Sequence, residues 1–168
     1  MDIWREANMV ESYGTSKHGL AFAAAKRGFR TRVYSNIEGY GFLRKLKPPI
    51  EGLRHRMLKL FFEERRTRCK KLGVRNKKRR ITLDLIRRSL ASRSVPLLLT
   101  SALHFSAEKE DLPHWIAVTG TDSQRVYVNN SLAARSRQGR WTVRLSAFQD
   151  ICGYKGDECM VEIGQRLL

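Results

Sequence analysis

Apolar residues recur at helical spacing in Ile3, Trp4, Ala7 and Val10, behind an Asp2 suited to an N-cap, so residues 3 to 12 are expected to form an amphipathic helix that stops before Gly14. Thr15 or Ser16 can cap a second helix whose small face is Leu20, Ala23 and Ala24, closed by Gly28. From Phe29 the period changes to two. Phe29, Thr31 and Val33 alternate with Arg30, Arg32 and Tyr34, the pattern of a half-exposed strand. Pro48-Pro49 ends whatever follows that strand, and a longer helix is expected over about 52 to 71. After a loop with Gly73, Thr82 caps a helix with Leu83, Ile86 and Leu90 on one face.

Beyond that point strand patterns dominate. Val95-Pro96-Leu97-Leu98-Leu99-Thr100 is a short apolar run, best explained by burial on both faces. Trp115 to Gly120 and Arg125 to Asn129 flank the polar turn Thr121-Asp122-Ser123-Gln124 and predict a hairpin. Trp141 to Leu145 is a further strand candidate. Ser146-Ala147-Phe148-Gln149 has the capping-box form that opens a short helix, and Met160 to Ile163 can add a last strand. Helices first and a mostly antiparallel sheet afterwards predict an α+β fold, with 1–168 as a single domain.

Charge changes this picture in one place. The 168 residues carry a formal charge of +17. Residues 44 to 93 hold 19 Lys and Arg against the four acids Glu51, Glu63, Glu64 and Asp84, so +15 lies in this basic helical segment. Within it, Arg75, Lys77, Lys78, Arg79 and Arg80 form the densest run and are the candidate contacts for a polyanion, nucleic acid included. A solvated helical face followed by a flexible loop explains the same run without a ligand. Phe61 and Phe62 fall at helical spacing with Leu58 and Leu72, which suits a core better than a base-stacking platform. No apolar run approaches the roughly 20 residues of a membrane-spanning helix. The acidic start Met-Asp-Ile-Trp-Arg-Glu is no secretory signal. Cys69, Cys152 and Cys159 are odd in number and unevenly spaced, so free thiols in a cytoplasmic, reducing setting are expected.

Candidate chemistry centres on His114. It opens a predicted strand, and Asn130 ends the next one; if the two strands form a hairpin, a carboxamide can hold the imidazole in one tautomer, two-thirds of a Cys-His-Asn arrangement. The third member is harder to find. Cys152 ends a predicted helix rather than beginning one, and Cys69 sits among cations that would lower its thiol pKa but at a core position. Cys152 and Cys159 have no second close pair to complete a zinc site, and no cofactor motif is present.

The string Leu112-Pro113-His114-Trp115-Ile116-Ala117-Val118-Thr119-Gly120, followed by Val126-Tyr127-Val128-Asn129-Asn130, resembles a segment of bacterial papain-like cysteine peptidases related to the bacteriocin-leader peptidases that cut after a double glycine. Ile3-Trp4-Arg5-Glu6-Ala7, the stretch from Gly19 to Phe29 and the strand from Val95 to Ser101 resemble further segments of one subgroup, in order. The resemblance implies a papain-like peptidase fold with His114 as the catalytic histidine and Asn130 in place of its acidic orienter. Ser131 stands where the family has Pro. The family's reactive Cys precedes the Trp-Arg-Glu-Ala helix with which this chain begins, so the nucleophile-bearing helix is expected to be lacking. In place of the subgroup's second Cys-Gly-Pro element stands Gly14-Thr15-Ser16-Lys17-His18, whose hydroxyls would need far stronger activation than one His supplies. Three readings follow: a domain that binds a peptide or protein without cleaving it, a thiol peptidase or amidase active when a Cys-bearing segment is supplied, or a polyanion-binding module. The subgroup's frequent fusion to an acetyltransferase domain makes such a domain an implied partner.

Overall fold

The computed structural model describes residues 15–39, 52–105, 111–130 and 139–166. The expected helix over residues 3 to 12 and the Pro48-Pro49 stop lie outside them. The fold is mixed α+β: helices α1 (Lys17–Lys26), α2 (Gly52–Lys71), α3 (Leu83–Ala91) and α4 (Phe148–Ile151) flank strands β1 (Phe29–Ser35), β2 (Arg75–Lys78), β3 (Val95–Ser101), β4 (Pro113–Thr121), β5 (Arg125–Asn130), β6 (Arg140–Arg144) and β7 (Cys159–Arg166). The strands form one sheet in the order β2-β1-β7-β3-β4-β5-β6. β1 and β2 pair in parallel and every other pair is antiparallel. A parallel pair needs a long crossover, and α2 lies within it. Among the described residues no helix is long and apolar enough to cross a membrane.

Local signals set several boundaries. Ser16 Oγ accepts from Gly19 N at 3.0 Å to cap α1, and Gly28 turns the chain into β1 at a φ of 83°. Thr82 Oγ1 accepts from Leu85 N at 3.3 Å to cap α3. The capping box expected at Ser146 does not form. A 3-10 turn over Leu145–Ala147 runs straight into α4, whose N-cap is Ala147 without a side-chain bond.

The two faces of the sheet have separate cores. On one, Val33 and Val161 meet Ala21 of α1 and Cys69 of α2, with Leu97 and Trp115 packed alongside; alanines let α1 approach closely. On the other, Tyr34, Met160, Leu98 and Ile116 stand in one rung across four strands, and with Val118, Val126 and Val128 they are covered by Leu85, Ile86, Phe148 and Ile151. Each such fully buried side chain contributes roughly 1.5–3 kcal/mol of apolar transfer.

Helices and sheet are not segregated along the chain as expected: β1, near the chain start, pairs with β7 at its end. The last strand is thus interior to the sheet. Tyr34 is buried, so β1 is half-exposed only at its beginning. Of the two phenylalanines placed in the core, Phe62 is there, whereas Phe61 and Leu72 are exposed.

Candidate active site

β4 and β5 form the predicted hairpin. Asp122 Oδ1 accepts from Gln124 N and Arg125 N, both at 2.7 Å, closing an Asx turn. Ile116 registers with Asn130, which brings the buried Asn130 beside the half-buried His114 two residues along β4. His114 Nε2 lies 2.7 Å from Asn130 Oδ1, while Asn130 Nδ2 donates to Phe105 O at 3.2 Å. The second bond fixes the amide: its NH2 faces a carbonyl, so its oxygen faces the ring. An oxygen can only accept there, and the imidazole must therefore donate through Nε2–H. In the neutral ring this makes Nδ1 the basic nitrogen.

The expected hairpin thus forms and brings the two candidate residues, His114 and Asn130, into hydrogen-bond contact. The thiols lie elsewhere. Cys69 is fully buried, donates to His18 O at 3.2 Å, and is pushed up to about 12 by burial, which outweighs the neighbouring Arg65. The expected lowering by adjacent cations is overturned because desolvation dominates. Cys152 follows α4, is pushed up to about 12 by burial and by Glu158, and walls a cavity of about 350 Å³ that is lined by His104 and not by His114. Burial also raises Cys159, whose Sγ sits 3.2 Å from Ser35 Oγ. Before α1, Ser16 Oγ is the helix cap, and the backbone carbonyl of Thr15 accepts from Trp115 Nε1 at 2.9 Å. Trp115 packs on the α1 face, and alternation along β4 puts His114 on the opposite one with Ile116.

The basic run is not wholly a loop. Arg75 to Lys78 form β2, an edge strand with all four side chains exposed. Edge charge of this kind also blocks sheet-to-sheet association. Arg80 is drawn to the domain: its Nε and Nη2 lie 3.0 and 2.8 Å from Glu158 Oε1, whose other oxygen accepts from Ile81 N at 2.8 Å. Lys77 and Lys78 instead line a pocket with His18, a residue that sequence reasoning passed over because its partner Asn76 lies 58 positions away. Among the described residues, no group of three or more His, Cys, Asp or Glu side chains is arranged to hold a metal ion.

No curated protein matches the chain. The His114–Asn130 pair stands within residues 1–149, and these match the model of the Peptidase_C39 like family, to which the chain therefore belongs.

Proposed function

We propose that the chain is a papain-like cysteine-peptidase domain, allied to the double-glycine leader peptidases, that binds a peptide or protein segment beside His114 and Asn130 and has no thiol of its own to attack it. The observation that carries this reading is the 2.7 Å bond between His114 Nε2 and Asn130 Oδ1, the orientation in which Nδ1 would serve a thiol. All three cysteines are buried, and burial raises each thiol pKa, so at neutral pH they are protonated and poor nucleophiles.

The same geometry favours a second reading, in which the chain becomes a thiol peptidase or amidase once a Cys-bearing segment is supplied. His114 Nδ1 would take the thiol proton, the thiolate would attack the scissile carbonyl carbon, and the imidazolium would return the proton to the leaving amine. Asn130 Oδ1 would hold the ring throughout. The test is a peptide with a central double glycine, added to protein labelled with 15N. Shifts at His114 and Asn130 side-chain nitrogens with the peptide intact by mass spectrometry are expected. Cleavage by the chain alone, or no shift at either residue, would overturn the first reading.

A further inference from the structure

On the sheet face opposite His114, a cavity of about 210 Å³ opens between α1, α2 and the parallel pair β1–β2. Among the described residues its lining holds four cations, Lys17, Arg66, Lys77 and Lys78, and one carboxylate, Glu38. These come from separate elements: the first turn of α1, the middle of α2 and the edge strand. The register puts Asn76 beside Val33 and Lys78 beside Ser35, so both stand on the helix-covered face. Lys17 is buried, and its Nζ donates to Ser35 Oγ at 3.1 Å. Arg66 forms a half-exposed pair with Glu63 at 3.6 Å.

His18 gives the pocket its order. Its Nε2 lies 2.8 Å from Asn76 Oδ1, an oxygen that can only accept; the Asn76 NH2 is thereby left as the donor at the wall. Burial, with Lys17 and Arg66 nearby, holds His18 down at about 4 against the opposing hydrogen bond to Asn76. The ring is therefore neutral at physiological pH and adds a positioning bond rather than a fifth charge.

A concave site in which positive charge predominates focuses its field on small anions. The volume is below the roughly 300 Å³ at which pockets begin to hold drug-sized molecules, so the fit is to one compact anionic group. The ammonium groups of Lys17 and Lys78, the Arg66 guanidinium fork and an amide NH2 match a tetrahedral oxyanion. We propose that this pocket binds a phosphate group, free or as a phosphomonoester, through Lys17, Arg66, Lys78 and the Asn76 amide, with His18 as the positioning residue.

Titration with inorganic phosphate at constant ionic strength, followed by calorimetry and by 15N spectra, tests it. One saturable site is expected, with shifts centred on Lys17, His18 and Asn76. Lys78→Ala and Arg66→Ala, both at exposed positions, should each weaken it by about tenfold. Glu38→Gln should tighten it, and Arg88→Ala on α3 should leave it unchanged. Competition by phenyl phosphate would identify an ester-bearing ligand; phosphate binding without that competition would restrict the site to the free ion. A response that follows ionic strength alone, or equal weakening by Arg88→Ala and Lys78→Ala, would overturn the proposal.

Discussion

Replacing Asn130 by aspartate should destabilise this protein. Asn130 is 4% exposed and both ends of its amide are in use. In Asn130→Asp the acceptor toward His114 survives, but the donor to Phe105 O becomes an oxygen facing a carbonyl. The lost bond is worth about 1 kcal/mol net, and leaving a buried carbonyl unpaired costs about 1–3 kcal/mol more. A compensating charge-assisted bond needs an imidazolium, so the assay is run near pH 8.5, above the ordinary imidazole range. The sum is about 2–4 kcal/mol, which for a chain of this size lowers Tm by roughly 4–16 °C. Thermal unfolding followed by circular dichroism measures it, with Asn129→Asp, an exposed neighbour, expected to stay within about 0.5 kcal/mol of the parent. Equal melting of Asn130→Asp and the parent would refute the assignment of the Asn130 amide, and with it the tautomer deduced for His114.

His18 supplies a pH dependence. Its folded value of about 4 lies below the ordinary 6.5, so the unfolded chain binds more protons between them. The stability it contributes is complete above 6.5 and is lost as the pH falls toward 4, by up to about 3 kcal/mol; urea midpoints should flatten over that window in His18→Gln, and an unchanged slope would count against the burial argument. Glu158→Gln removes an anion that accepts from Ile81 N and from Arg80. Since Arg80 is largely exposed, the loss comes mainly from the buried Ile81 amide, about 1–3 kcal/mol in chemical denaturation, whereas Arg80→Ala should cost much less.

Much of the local structure was legible because its causes are local. Ser16 and Thr82 declare their helices by capping, and the β4–β5 hairpin follows from alternating apolar residues around Asp122. That hairpin carries His114 to Asn130, so the contact between these two candidate residues was readable from the sequence. What escaped depends on pairing between distant segments. β2 has no apolar alternation, since an edge strand made of Arg75, Asn76, Lys77 and Lys78 is held by its bonds to β1 and by the buried Val74 before it. The interior place of β7 and the burial of Tyr34 follow from a long-range antiparallel pairing that leaves no nearby pattern. Cys69 misled for a related reason: counting cations along the sequence cannot report desolvation by α1 across the helix pair.

The central claim is that a peptidase-like His–Asn pair stands in a chain whose own thiols do not serve it. Reaction with a thiol-directed cysteine-peptidase probe at neutral pH, mapped by mass spectrometry beside a His114→Ala control, tests this most directly. Slow labelling of Cys69, Cys152 and Cys159, unchanged in the control, is the predicted result. Fast labelling of one of them that disappears in His114→Ala would make that cysteine the nucleophile and contradict the account.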